Sequence, residues 1–143
     1  MATLQQAIDA IQDLMGALTG MRSAPDEPPE DMSVFPFCVA YASDGTWGGF
    51  GGAGGKKGLH TIIVEVHIQR SDLPRDVAAA MAYSESVANA LIGDPTLAGT
   101  VDTIVGDITY TFGGLGWAQA PGSLPNTIGW RFQLVVKQQS AIT

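Results

Sequence analysis

Residues 34–69 limit the possible folds more than any other part of the chain, because they hold two runs suited to a sheet, joined by a stretch that is half glycine. In Leu59–Gln69, His60, Ile62, Val64, Val66 and Ile68 fall on one side of an extended backbone, and Thr61, Ile63, Glu65, His67 and Gln69 fall on the other. This alternation predicts a long strand with one core face. Upstream, Phe35, Phe37, Val39 and Tyr41 alternate with Val34, Pro36, Cys38 and Ala40, which predicts a second strand. Pro36 has no N–H to give a ladder, so that strand belongs at a sheet edge or starts there. Between the two lies Ser43–Gly58, SDGTWGGFGGAGGKKG. Glycine gives up more backbone freedom on folding than any other residue, so this run is expected to be a mobile loop that a partner orders.

The remaining elements follow from periodicity. Leu4, Ala7, Ile8, Ile11, Leu14, Met15 and Leu18 recur at spacings of three and four, with Gln5, Gln12 and Asp13 on other faces, which predicts a helix over about residues 4–18. Thr3 with Gln6 fits a capping box, and Gly20 offers a stop. Asp72 and Pro74 suit the start of a second helix with a stripe of Val77, Met81, Ser84, Ala88 and Leu91, and Gly93 suits its end. Thr103–Phe112 predicts a strand with Ile104, Ile108, Tyr110 and Phe112 on one face. After a second glycine-rich run, Ile128, Trp130, Phe132, Leu134 and Val136 alternate with Gly129, Arg131, Gln133 and Lys137 as the clearest strand in the chain.

The expected fold class is therefore α+β, in the order α-β-β-α-β-β: two helices packed on one face of a four-stranded, mostly antiparallel sheet, with long Gly-rich loops. The opposite face would carry Glu65, His67, Asp107, Arg131 and Lys137. A length of 143 residues suits a single domain, 1–143, that buries roughly 70% of the surface its unfolded chain exposes.

Charge and cysteine usage narrow the function. The net charge of −7 has the wrong sign for gripping a phosphate backbone. Cys38 is the only cysteine, so no intrachain disulfide can form. With no signal-like start and no bilayer-length apolar run, a soluble product of the cytosol is expected.

Catalytic and ligand motifs do not accumulate. Gly49–Gly54 matches G-x-G-x-x-G, but a strand follows where a dinucleotide site needs a helix N-terminus. Gly55-Lys56-Lys57 lacks both the earlier glycine and the Ser/Thr of a P-loop. His60 and His67 point to opposite faces of one strand, so they do not share a metal. His60 reads as a core-edge residue, His67 as a surface partner of Glu65 or of a neighbouring strand, and Cys38 as a small buried hydrophobe. Asp107 and Arg131 read as a cross-strand pair. No catalytic, cofactor or metal residue is nominated.

Trp47, Phe50, Leu115 and Trp117 stand apart as large apolar side chains in glycine-rich surroundings, with Lys56 and Lys57 at the base of the first run. They either anchor a partner or fold back on their own sheet. Residues 22–33, RSAPDEPPEDMS, read as an exposed connector: a solvated linker, or an acidic rim in an assembly.

Together these stretches resemble the tail terminator, or tail completion, proteins of long-tailed bacteriophages and related tail-like particles. The resemblance rests on the N-terminal helix, the acidic connector leading into Val34–Tyr41, the Trp-Gly run, His60–His67, the helix opened by Asp72–Arg75, Asp94–Leu97 leading to Val101–Ile104, and Gly129–Phe132. It implies a non-catalytic structural protein of the virion, made in the host cytoplasm and placed at the tail end or neck. Such proteins form hexameric rings that cap the tail tube, end its polymerisation and offer the head-joining surface. The implied partners are copies of the chain, the tail tube protein and a neck or head-completion protein, with DNA only as passing cargo. Asp26, Glu27, Glu30 and Asp31 would contribute to an acidic lumen or rim. A neck or head-completion connector is the neighbouring alternative, and a small ligand-binding or enzyme domain is the alternative from another class.

Overall fold

The computed structural model describes residues 2–25, 34–49, 55–69, 73–115 and 127–140. Thr3 starts helix α1 (Leu4–Gly16) as the capping box requires: its hydroxyl accepts the Gln6 N–H at 3.2 Å, while its own N–H donates to Gln6 Oε1 at 2.8 Å. The helix ends two residues before the expected limit, where the Ala17 N–H turns back to the Leu14 and Met15 carbonyls. Gln12, assigned above to a polar face, is buried. Its side-chain amide donates to the Pro25 carbonyl at 2.6 Å and the Cys38 carbonyl at 3.2 Å, tying the helix to the connector and the sheet.

Strands β1 (Phe37–Gly48) and β2 (Lys56–Gln69) form an antiparallel hairpin whose register runs from Phe37 opposite His67 to Gly48 opposite Lys57. Residues 43–48 and 56–58, expected in a loop, belong to strands. Ser43 is an extra residue in β1, since Ala42 opposes Ile62 and Asp44 opposes Thr61. Helix α2 (Leu73–Ile92) has Pro74 in its first turn, and Asp72, its expected cap, lies outside the described residues. Its buried face is centred on Ala80, Val87 and Leu91, so Met81 of the predicted stripe is exposed. The Trp130 indole N–H donates to the Ala80 carbonyl at 2.7 Å and fixes the helix on the sheet.

Strands β3 (Thr103–Leu115) and β4 (Thr127–Ser140) complete a wholly antiparallel four-stranded sheet. Across it the order is β1-β2-β4-β3, so the last strand lies inside the third and the order in space differs from the order along the chain. β1 takes the edge position that Pro36 suggested. Both helices share one face, where Ile8, Ile11, Met15, Ala80, Val87 and Leu91 pack on Cys38, Ile62, Val64, Val66, Trp130, Phe132 and Leu134. Burying such side chains contributes about 1.5–3 kcal/mol each, which makes this layer the main source of stability.

The second face departs from the expected polar surface. Phe37, Val39, Ile63, His67 and Thr127 are buried there, and only Arg131, Lys137 and Asp107 of the anticipated polar set are clearly accessible. Arg131 opposes Thr111 rather than Asp107, which sits in a register shift between Val105 and Thr109, so the expected Asp107–Arg131 cross-strand pair does not form.

Candidate functional site

The extra residue at Ser43 sets the geometry of the hairpin end. It shifts the alternation of β1 by one, so that Gly45 opposes His60 and Trp47 opposes Gly58 on the helix-bearing face. The His60 ring occupies the space that two side chains would need. A Cβ on Gly45 would stand 2.6 Å from His60 Nδ1, and one on Gly58 would collide with His60 Nε2 and come within 2.8 Å of the Trp47 ring. The indole packs edge-on against the imidazole with centroids 4.3 Å apart, and the Lys56 ammonium lies 4.7 Å over the indole. At these two positions glycine supplies room rather than freedom.

Trp47 is thus held in place while 44% of it faces solvent. His60 is buried, Nε2 makes no hydrogen bond among the described residues, and burial holds the imidazole below its ordinary pKa of 6.5. Leu4, Asp44, Trp47 and His60 border a shallow cleft of about 200 Å³. Lys57 is exposed on the other face, opposite Gly48 and Gln139. Leu115 is not part of this cluster. It ends β3 at the far edge, half-buried on the opposite face, with Cδ1 3.3 Å from where Gly129 would carry a Cβ. Phe50, Trp117, Asp26, Glu27, Glu30 and Asp31 lie outside the described residues.

A second feature escaped sequence reasoning. The helices cover β1, β2 and β4, and an open groove of about 780 Å³ lies between α2 and β3. Its apolar wall includes Ala88, Ile92, Ile104, Ile108 and Tyr110, with Glu85 and Asp107 as its charged lining residues. Ile92 is 66% and Tyr110 57% exposed. The groove joins residues from three elements, and only the mismatch between Tyr110 on a supposed core face and the lack of a third helix to cover it hinted at its presence.

The third feature is a buried polar network on the other face. His67 lies between Thr127 and Glu65, with Nδ1 2.7 Å from the Thr127 hydroxyl and Nε2 2.9 Å from Glu65 Oε1. The Tyr41 hydroxyl donates to Glu65 Oε2 at 3.0 Å, Arg131 Nε stands 3.9 Å from the same oxygen, and Phe37 stacks on the imidazole at 4.5 Å. Burial pushes the Glu65 carboxyl up, but His67, Tyr41 and Arg131 outweigh it and hold the pKa below the ordinary value of 4.5. A hydroxyl, an imidazole and a carboxylate in line could relay a proton, but Thr127 and His67 are both fully enclosed, out of reach of a substrate. The arrangement ties β1, β2 and β4 together, and the expectation of a surface His67 is corrected while its pairing with Glu65 stands.

Cys38 lies in the core, where burial and then the Glu65 charge raise its thiol far above the ordinary value, so it is unreactive. Among the described residues no group of three His, Cys, Asp or Glu side chains comes together to hold a metal, and no helix is long and apolar enough to cross a membrane. Compared with known family models and with curated proteins, the chain matches none.

Proposed function

We propose that the chain is a structural virion protein of the tail-terminator type: a ring of six copies that caps a tail tube, ends its polymerisation and joins it to the filled head while DNA passes through. The observation that carries this reading is Trp47, an aromatic side chain nearly half exposed yet braced by His60, Lys56 and a continuous ladder. A side chain already fixed loses little freedom on docking, and tryptophan is among the residue types enriched at the energetic centres of interfaces. The hairpin end and the apolar groove lie at opposite edges of one sheet. Unlike surfaces at opposite edges favour head-to-tail contacts, which close into rings when the rotation allows. The net charge of −7 suits a passage that the phosphate backbone must slide through without sticking.

The test is to place the chain in its particle by cryo-electron microscopy and to weigh the purified protein by native mass spectrometry. Sixfold rings at the end of the tail tube are expected, each contact burying about 800 Å² per partner. Density between portal and tail would assign the chain to head completion instead. A persistent monomer with no density in the particle would overturn the proposal.

A further inference from the structure

We propose that the groove between α2 and β3 is the socket for the Trp47 arm of a second copy of this chain. This rests on the ring reading and names the contact that would close it.

Shape and chemistry agree on the two sides. The groove, about 780 Å³, has the size of sites that enclose whole aromatic ligands. Its walls are Ile92, Ile104, Ile108 and Tyr110, and its two charged lining residues, Glu85 and Asp107, are acidic and exposed. The arm offers an exposed indole with the ammonium of Lys56, one of only seven Lys and Arg residues in the chain, over its ring. Copies of a protein with net charge −7 repel one another. A contact that sets Lys56 against two carboxylates beside an apolar centre relieves that repulsion where the surfaces meet.

Placement points the same way. Trp47 and the groove both open on the helix-bearing face, one at the β1–β2 edge and the other at the β3 edge. One copy can therefore give its arm to a neighbour while accepting another in its own groove. A small molecule fits the site less well. Among the described residues the buried side-chain atoms without partners are Gln12 Oε1, His60 Nε2 and Gln138 Oε1, and none of these residues lines the groove to orient a ligand.

Three variants and one cross-link test the contact. Glu85→Lys with Asp107→Lys reverses the socket, Lys56→Glu reverses the arm, and a third chain carries all three changes. Each reversal alone is expected to raise the midpoint concentration of assembly about tenfold or more, and the chain with all three changes to recover much of that loss. Circular dichroism and thermal unfolding check that every variant folds. Mixing Gly49→Cys chains, which keep the indole, with Ile92→Cys chains under oxidation should give a covalent heterodimer, because native Cys38 is buried. Wild-type rings combined with unaffected reversals and no cross-link would overturn the socket and leave the ring reading standing. An apolar dye that fills the groove equally in ring and monomer would do the same. A wild-type chain that never assembles would overturn both.

Discussion

Glu65 keeps its charge inside the sheet because each carboxylate oxygen has a partner: His67 on Oε1, Tyr41 and Arg131 on Oε2. The folded chain therefore holds this carboxyl below the ordinary value of 4.5, whereas the unfolded chain does not. Protonation then favours unfolding, so the stabilisation is present above the ordinary carboxylate range and is lost as pH falls through the lower folded value. Glu65→Gln is expected to cost about 1–3 kcal/mol in urea unfolding at neutral pH, with Tyr41 and His67 left poorly matched. The difference from wild type should shrink as pH drops below about 4.5. Equal stability at neutral pH would show that the network contributes nothing net. The pairing of Glu65 with His67 was visible in their spacing along one strand, but their burial was not. The partners that enclose them, Phe37, Tyr41 and Thr127, lie 24 or more positions away in the chain.

At the scale of elements, the hairpin end divides its glycines into two kinds. Gly58→Ala drives a Cβ into the His60 ring and is expected to destabilise the protein by about 1–3 kcal/mol. It should also speed amide exchange at residues 44–48 and 56–60. Gly49→Ala meets nothing within 4 Å and should leave both measurements unchanged. Similar losses at the two positions would show that glycine acts here through flexibility alone. This distinction explains what the sequence could and could not reveal. Helix α1 was legible because Thr3, Gln6 and the apolar positions act within a few residues of one another, and β4 because its alternation is unbroken. The ladder from Asp44 to Gly48 was not, since a glycine that makes way for a ring on the adjacent strand or two residues away looks the same in sequence as one that marks a loop. Met81 was assigned to the core for a related reason: helical period finds an apolar stripe, but the sheet beneath decides which flank is covered.

For the whole molecule, the arrangement of strands matters more than any single contact. The order β1-β2-β4-β3 puts the Trp47 arm and the α2–β3 groove on separate edges, and the helices pack chiefly on β1, β2 and β4. The exposure of Trp47 was legible in its glycine-rich surroundings in sequence, while the groove required knowing that β3 lies outside β4. If Lys56 meets carboxylates at the assembly contact, raising ionic strength from about 0.01 M to about 1 M shortens the screening length from about 30 Å to about 3 Å and should weaken assembly. Sedimentation across that range measures the effect. Tighter association at high salt would indicate an interface governed by apolar burial and by relief of the overall negative charge. The two sheet edges also differ in how they end. The Cys38 N–H at the start of β1 is taken by the Ser23 carbonyl, whereas β3 is interrupted between Val105 and Thr109, with Gly106 at φ +71°. A neighbouring chain cannot lay a straight strand along that interrupted edge. The irregularity around Gly106 thus makes this edge a poor template for open-ended backbone pairing between copies.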